Sequence, residues 1–425
     1  MSTNPPRTAS PVWHPFTQHG LERDAILIAR AEGAHLETAD GRRLFDAISS
    51  WWVITHGHRN PRIIAAIKAQ ADTLDQLIFA GFTHAPAEQL ARRLVAIAPA
   101  GLSHVFFSDS GSTSVEVAVK MALGARRHQG KPRTRILALD GGYHGDTIGG
   151  MSVGARGIFN APYEPLLFEV GRIPFPTGGR EQQTLEALTA ACRQGGVAAF
   201  VVEPLVQGAG GMKIYPAEVL REMSRICAAH EVLLIADEVM TGFGRTGTLF
   251  ACEQAGITPD ILCLAKGLSG GALPLAATLC RQELFDAHLS IDRARTFFHS
   301  SSYTANPIAC AAALANLDVW QDEPVRDRIA TLATLQQQRL AALADKPCFS
   351  NRRQIGTIAA LDVTVADAGY LADIGLRLRS RFERSGVLLR PLGNTIYLMP
   401  PYCTRAEDLD QAYAAIAEAV AIEAH

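Results

Sequence analysis

The sequence predicts an α/β protein with a large domain built on a mostly parallel sheet and a smaller α+β domain. The middle of the chain carries short apolar runs without polar alternation, which is typical of strands covered on both faces. Helix-like patterns separate these runs, such as residues 216–230, which open with proline and repeat apolar residues at i, i+3 and i+4. Alternating strands and helices indicate a parallel sheet. The apolar runs are 135–139, 198–202, 232–236, 261–265 and 276–280.

The domain boundaries are predicted from where these patterns begin and end. A turn at residues 39–41 indicates a short hairpin, a helix is predicted near 305–319, and a last helix is predicted at 405–422. The strand order and any antiparallel strand stay open at this point. The expected ranges are 1–54 for an N-terminal arm and hairpin that are part of the small domain, 55–315 for the large domain, and 316–425 for the C-terminal small domain.

Composition limits the classes of function. The chain has 425 residues, of which 48% are hydrophobic and 19% charged, as expected for a compact soluble protein of more than one domain. A net charge of −2 gives no electrostatic support for a nucleic-acid partner. The absence of a long apolar stretch and of an apolar signal core predicts a cytoplasmic protein without membrane spans. The eight cysteines form no C-x-x-C pair, so we expect reduced core thiols and no metal site.

Lys266 is the first candidate for chemistry. It ends the apolar run 261–265 and is followed at once by Gly267, and only six of the forty basic residues are lysines. A buried ammonium is costly unless its pKa falls or it forms a covalent bond, and a desolvated lysine amine is a nucleophile. A single lysine just past a strand more often stays solvated, so the neighbouring residues decide between the two interpretations.

Two carboxylates also follow predicted strands. Glu203 comes after the strand at 198–202, and Asp237 comes after the strand at 232–236. Ligands of open α/β sheets bind at the carboxyl ends of the strands, where these side chains and Lys266 would meet. We therefore expect one shared site.

A phosphate cradle and an aromatic side chain complete the candidate site. Gly111 and Ser112 lie at the start of a predicted helix, where free backbone N–H groups favour an anion, and that helix carries a possible Glu116–Lys120 pair. Tyr143 follows the strand at 135–139 and is placed to stack on a planar ring. A cradle, an aromatic ring, a carboxylate and a lysine are the set that pyridoxal phosphate requires.

The segment 233–271, LLIADEVMTGFGRTGTLFACEQAGITPDILCLAKGLSGG, resembles the class III aminotransferases, which are fold-type I pyridoxal-phosphate enzymes. The resemblance implies that Lys266 forms the Schiff base with the cofactor and that Asp237 pairs with its ring nitrogen. It also implies roles for five further residues: Gly111 and Ser112 on the phosphate, Tyr143 over the ring as a third catalytic residue, Val239 on the opposite ring face, and Glu203 in the shell that orients the site.

Within the class, the chain looks most like the diaminopelargonate aminotransferases of biotin synthesis. The carrying segments are WHPF at 13–16, ISSWW at 48–52, GYHGDTIGGMSVG at 142–154, EPLVQGAGGM at 203–212 and RPLGNTIYLMPPY at 390–402. The resemblance implies S-adenosylmethionine as amino donor and 8-amino-7-oxononanoate as acceptor. It places Trp51 in the substrate pocket and Arg390 on the substrate carboxylate, for which a guanidinium fork is suited. The other expected substrate contacts are Phe16, Tyr143, Lys266, Ser300 and Tyr397.

Two departures from the family pattern leave alternatives open. Phe16 stands where tyrosine is usual, so a substrate-facing hydroxyl is missing. Ser300, Ser301 and Ser302 stand where the family has Gly-Pro-Thr; in the family the last of these binds the phosphate of the partner subunit, which implies a homodimer with shared sites. The alternatives are another ω-aminotransferase, using β-alanine or a diamine with pyruvate, an aminomutase, or a non-catalytic protein that binds pyridoxal phosphate.

Overall fold

A computed structural model describes residues 10–21, 25–366 and 368–423 of the chain. These residues form sixteen strands: β1 (Ile28–Glu32), β2 (His35–Thr38), β3 (Arg43–Asp46), β4 (Leu102–Ser108), β5 (Arg135–Leu139), β6 (Gly171–Ile173), β7 (Val197–Val202), β8 (Val206–Gln207), β9 (Lys213–Ile214), β10 (Leu233–Asp237), β11 (Ile261–Leu264), β12 (Ala276–Arg281), β13 (Phe349–Ile355), β14 (Ile358–Val363), β15 (Val387–Leu388) and β16 (Thr395–Leu398).

The same residues form thirteen helices: α1 (Ser49–Trp52), α2 (Pro61–Ala71), α3 (Ala85–Ile97), α4 (Gly111–His128), α5 (Ile148–Val153), α6 (Glu181–Arg193), α7 (Ala217–Ala229), α8 (Cys252–Ala255), α9 (Gln282–His288), α10 (Pro307–Asp322), α11 (Val325–Ala341), α12 (Ile374–Arg384) and α13 (Ala406–Glu423). Three short 3-10 helices span Ala161–Leu166, Lys266–Ser269 and Arg293–Arg295. Among the described helices, none combines the length and the apolar character needed to span a bilayer.

A seven-stranded sheet forms the centre of the molecule, in the order β4-β12-β11-β10-β7-β5-β6. The neighbours from β11 to β6 run parallel, whereas β12 runs antiparallel to both β11 and β4. All residues of β7 and β11 are buried, because helices cover both faces. The predicted α/β class with a mostly parallel sheet is confirmed. Only eleven residues separate β11 from β12, which is too short for the helical crossover that a parallel neighbour needs.

Of the three smaller sheets, one joins both ends of the chain, one is formed by C-terminal strands alone, and one is the short pair β8-β9. The predicted hairpin forms from β2 and β3, and β3 also pairs in parallel with β15 near the other end of the chain. Strands β13, β14 and β16 form an antiparallel sheet of their own. The N-terminal hairpin therefore packs with C-terminal elements, although the proposed domain boundaries stay a prediction.

The expected Glu116–Lys120 pair does not form in the described part of the chain. Glu116 accepts a hydrogen bond from the backbone N–H of Gly149 at 2.7 Å. Lys120 donates through Nζ to the carbonyl of Phe298 at 2.7 Å. Each side chain binds a backbone group of a neighbouring segment instead, and little stability is lost because an exposed pair one helical turn apart contributes only a few tenths of a kcal/mol.

Candidate active site

A cavity of about 680 Å³ opens at the carboxyl ends of the central parallel strands. Glu203 follows β7, Asp237 ends β10, and Lys266 follows β11. The helix α4 points its N-terminus at the same cavity from beyond β4. The residues on the wall that the sequence singled out are Gly111, Ser112, Tyr143, Glu203, Asp237, Val239 and Lys266.

Lys266 occupies a left-handed backbone conformation with φ of 42°, which costs a non-glycine residue about 1 kcal/mol. Its Nζ lies 4.6 Å from the ring centroid of Trp52. The side chain is partly accessible from the cavity, but protein surrounds the rest of it. Burial lowers the pKa of Lys266 to about 8, an effect that Asp237 and Glu203 oppose. A lysine with that pKa offers a useful fraction of neutral amine near physiological pH.

Asp237 is buried and held by two hydrogen bonds. Its Oδ2 lies 2.7 Å from Nδ1 of His144, and its Oδ1 accepts the backbone N–H of Val239 at 3.2 Å. The contact with His144 was not predicted from the sequence. The available signal was its position directly after Tyr143 in a motif that drew attention only through the tyrosine. The imidazole fixes one oxygen of the carboxylate.

Glu203 fixes the loop that carries Tyr143. Its carboxylate accepts the backbone N–H of Tyr143 at 3.0 Å and that of Gly208 at 2.9 Å. Burial raises the pKa of Glu203 to about 7, partly offset by His144. Burial likewise raises the pKa of the Tyr143 hydroxyl, and Asp146 adds to this effect. Glu203 therefore holds the backbone of Tyr143 in place through its carboxylate.

The N-terminus of α4 forms an open cradle. The N-cap Ser110 accepts the backbone N–H of Thr113 at 3.2 Å, whereas those of Gly111 and Ser112 find no acceptor among the described residues. The Ser112 hydroxyl lies 2.7 Å from that of Thr147, which ties the cradle to the loop after Tyr143. Two free N–H groups at a helix N-terminus are suited to bind a phosphate.

Gly145 makes the approach of this loop to the cradle possible. Its φ is +104°, and a Cβ there would lie 2.2 Å from the Ser112 hydroxyl oxygen. We expect Gly145→Ala to lower the affinity for pyridoxal phosphate by at least about 10-fold, because backbone strain and the clash both displace Ser112. Fluorescence titration of the cofactor-free protein measures this affinity. The matched control is Gly178→Ala, where an added Cβ meets nothing within 4 Å; equal affinities in both variants would contradict the expectation.

Three predicted substrate residues meet in a cluster outside the cavity wall, here called the rim. The rings of Phe16 and Trp51 lie 5.5 Å apart, edge to face. The guanidinium of Arg390 lies 5.6 Å from the Trp51 ring and donates to the Phe16 carbonyl at 2.5 Å. No carboxylate in the described ranges forms an ion pair with Arg390.

The two adjacent tryptophans take different positions, and the substrate contact expected of Trp51 stays a prediction. Trp52, and not Trp51, lines the cavity beside Lys266, and its Nε1 donates to the buried Tyr397 hydroxyl at 3.0 Å. Ser50 and Trp51 have non-helical backbone angles, so the two indole rings separate. Trp51 belongs to the rim, and Tyr397 supports Trp52 from behind.

The segment with Ser300, Ser301 and Ser302 lies off the cavity wall of its own chain. The Ser301 hydroxyl donates to Asp109 Oδ2 at 2.8 Å, which attaches the segment to the residue that precedes the cradle. The carbonyl of Ser302 accepts a hydrogen bond from Gln76. The expected phosphate contact of Ser302 therefore stays a prediction for a second copy of the chain.

Arg245 was not predicted as a site residue, yet it holds the wall behind Lys266. It is 1% exposed, and its guanidinium donates to four backbone carbonyls: Trp52 at 3.3 Å, Ile54 at 2.9 Å, Met399 at 3.5 Å and Pro400 at 3.0 Å. The carbonyls come from distant parts of the sequence, which is why spacing along the chain gave no signal. Arg245 joins the tryptophan turn to the strand end after β16.

Comparisons with known proteins agree with this geometry. Residues 17–420 match the family described as aminotransferase class-III. The chain is 49% identical over 415 residues to an adenosylmethionine-8-amino-7-oxononanoate aminotransferase of Synechococcus elongatus, covering 96% of this chain and 97% of that protein. The crystal structure of the enzyme of that name from Methanocaldococcus jannaschii superimposes with a TM-score of 0.92 at 34% identity, covering 97% of each chain.

A second solved structure comes from an amine transaminase of an uncultivated Pseudomonas species, in its pyridoxal-phosphate-bound form. It superimposes with a TM-score of 0.89 at 35% identity, covering 97% of this chain and 99% of that one. The predicted fold type and the predicted resemblance are both confirmed. The chain belongs to the class III aminotransferases.

Proposed function

We propose that this protein is the aminotransferase of biotin synthesis that moves an amino group from S-adenosylmethionine to 8-amino-7-oxononanoate, giving 7,8-diaminononanoate, and that it works in the cytoplasm. The observation that carries the proposal is the convergence of Lys266, Asp237 and the α4 cradle on one cavity. The specific substrates are those in the printed names of the relatives with the same architecture.

The residues of the cavity fit pyridoxal phosphate, the cofactor of this enzyme. The unpaired N–H groups of Gly111 and Ser112 would hold its phosphate, and Asp237 would face its ring nitrogen. Tyr143 and Val239 lie on the wall where they would flank the ring. Pyridoxal phosphate supplies an electron sink for the bonding pair released when an amine substrate loses a proton.

Lys266 performs two tasks in this proposal. Its amine would hold the cofactor, and as a free amine it would take up and return the proton at the α-carbon of the donor substrate. Both tasks require an unprotonated amine at working pH, and the pKa of about 8 that burial produces supports them. The left-handed backbone at Lys266 sets the direction in which the side chain enters the cavity.

Asp237 would keep the ring nitrogen protonated, because a buried carboxylate stabilises a cation beside it. The His144 hydrogen bond holds the carboxylate in place, and the Val239 N–H holds its other oxygen. Glu203 maintains the Tyr143 loop through two backbone hydrogen bonds.

The rim is suited to a long keto acid. Arg390 has no acidic partner in the described ranges and presents a guanidinium fork for a carboxylate. Phe16 and Trp51 offer apolar surface beside it for an alkyl chain. We propose that the rim binds the distant carboxylate of 8-amino-7-oxononanoate while its ketone reaches Lys266.

The proposal includes a homodimer. Ile78, Phe82, Phe298 and Tyr303 are each more than 60% exposed, which is unusual for large apolar side chains. Two of them flank the Ser300–Ser302 segment, whose phosphate contact the family resemblance assigns to a partner. A second copy covering these side chains would bring Ser302 to the cradle of the first.

A second candidate function is supported by one solved structure and by Phe16. The solved amine transaminase shares the architecture at 35% identity, and Phe16 removes the hydroxyl that would otherwise favour the proposed donor. A class III ω-aminotransferase that uses β-alanine or a diamine is therefore the second candidate.

The absorbance of the bound cofactor distinguishes the two functions. We expect the yellow band of the purified holoenzyme to fade when S-adenosylmethionine is added alone and to return when 8-amino-7-oxononanoate follows. Lysine, β-alanine and a diamine serve as comparison donors. A spectrum that ignores S-adenosylmethionine but responds to one of these amines would reject the proposed donor and favour the second candidate.

A further inference from the structure

A buried polar cluster lies against the turn that begins at Lys266. It consists of Thr55, His56, Asn316 and Trp320, none of which lines the cavity. The rings of His56 and Trp320 lie 5.6 Å apart, and Asn316 sits one helical turn before Trp320 on α10. Thr55 approaches the same turn, since its Cγ2 lies 3.1 Å from where a Cβ on Gly267 would be.

Asn316 binds the backbone directly after the lysine. Its Nδ2 donates to the carbonyls of Gly267 and Leu268, at 3.0 Å each, and the side chain is 0% exposed. Two bonds from one amide to successive carbonyls fix the orientation of both peptide planes. Both planes lie within the short 3-10 helix Lys266–Ser269, so these bonds hold the turn that begins at the lysine, whose own backbone is left-handed.

The cluster contains five side-chain polar atoms that are buried without a hydrogen-bond partner among the described residues: Asn316 Oδ1, both ring nitrogens of His56, Thr55 Oγ1 and Trp320 Nε1. The Asn316 amide is close enough to raise the pKa of His56, but no hydrogen bond of normal geometry joins the two. Burial, aided by Arg328 and Arg245, nevertheless lowers the pKa of His56 to about 3, so the imidazole is neutral.

The unpaired atoms include donors and acceptors. Trp320 Nε1 and one His56 nitrogen can only donate, whereas Asn316 Oδ1 and the other His56 nitrogen can only accept. Water satisfies both kinds of group, and buried polar groups of native proteins are regularly satisfied in this way. A cation is disfavoured, since Arg245 and Arg328 act on the same imidazole.

We propose that this cluster holds at least one ordered water molecule and that Asn316, held by it, is a positioning residue for Lys266. The inference rests on the proposed role of Lys266, but its test needs no amino transfer. The charged groups that face Lys266 are Asp237, Glu203 and Arg245, and an uncharged substitution at Asn316 leaves all three in place.

The test compares Asn316→Leu with Gln336→Leu in the cofactor-free protein. Gln336 is an equally buried amide in α11. Its Nε2 donates to the Thr357 carbonyl at 2.6 Å and its Oε1 accepts the Tyr413 hydroxyl at 3.1 Å, so neither bond goes to the lysine turn. Competitive acetylation followed by mass spectrometry gives the reaction rate and apparent pKa of Lys266 as pH is varied. We expect Asn316→Leu to raise that pKa by about one unit, a roughly 10-fold loss of neutral amine at pH 7, because a released turn exposes the ammonium to water.

Gln336→Leu is expected to leave the titration of Lys266 unchanged even where it lowers the melting temperature. Equal shifts in both variants, or no shift in Asn316→Leu, would overturn the positioning role. A high-resolution crystal structure of the unmodified protein tests the water without any variant: we expect density bonded to Asn316 and His56, and a dry cluster would overturn that part. Failure of the S-adenosylmethionine half-reaction would reject the proposed function but not these results.

Discussion

Replacing Lys266 with alanine is expected to lower the rate of amino transfer by at least about 10⁴-fold, because the variant loses both the amine that binds the cofactor and the group that moves the proton. The exposed Lys346 provides the control: Lys346→Ala should retain full activity. Steady-state rates with both proposed substrates measure the effect. A Lys266→Ala variant with more than a few per cent of the original rate would show that another base carries the reaction.

The lowered pKa of Lys266 also predicts how the free energy of unfolding of the cofactor-free protein depends on pH. The pKa of Lys266 is about 8 in the folded chain and 10.5 in the unfolded one, so between these values only the unfolded chain binds the proton. Folding stability should therefore rise with pH through that window, and the cost of the buried ammonium is fully present below pH 8. Lys266→Met should remove this contribution. Urea midpoints of the two proteins across the window measure the difference, and parallel curves would contradict the assigned pKa.

Asp237→Asn has the second largest expected effect, a loss of about 10³-fold in the catalytic rate. An amide cannot stabilise a protonated ring nitrogen as a carboxylate does, so the electron sink weakens. The fold should persist, since asparagine has the same size and its oxygen can still accept the His144 or Val239 hydrogen bond. Single-turnover absorbance measurements with a saturating donor separate this chemical effect from binding.

Asp260→Asn is the matched control for that variant. Asp260 is a partly buried carboxylate beside β10, where it accepts the Leu234 N–H at 2.8 Å and pairs with Arg281 at 3.0 Å. It lies at the opposite end of the strands from the cavity, so its loss should affect stability more than rate. If the two variants slow the reaction equally, Asp237 acts through the fold and not on the cofactor.

The sequence predicted the central sheet and the strand-end residues because both depend on local pattern. Continuous apolar runs show buried strands, and ionisable residues that follow them must meet at one edge of a parallel sheet. The direction of β12 has no such pattern, since a buried strand looks the same either way. The antiparallel direction of β12 follows from the eleven-residue connection after β11, which is too short for a helical crossover.

The hydrogen bonds that support the site could not be predicted from the sequence, because they join residues far apart along the chain. The side chain of His144 contacts a residue 93 positions away in the sequence, and that of Asn316 contacts one 48 positions away. The Arg245 guanidinium binds a carbonyl 154 positions away. Such pairings have no periodicity. The position of Trp52 on the cavity wall depends on the backbone angles of one irregular turn at Ser50 and Trp51, which the sequence does not reveal.

The central claim is that Lys266 carries the cofactor, and borohydride reduction tests it most directly. The purified protein is loaded with pyridoxal phosphate, reduced with sodium borohydride, digested and mapped by mass spectrometry. We predict a single modified lysine, Lys266, with Lys266→Ala unmodified under the same treatment. A reduced cofactor on any other lysine, with Lys266 left free, would contradict the account.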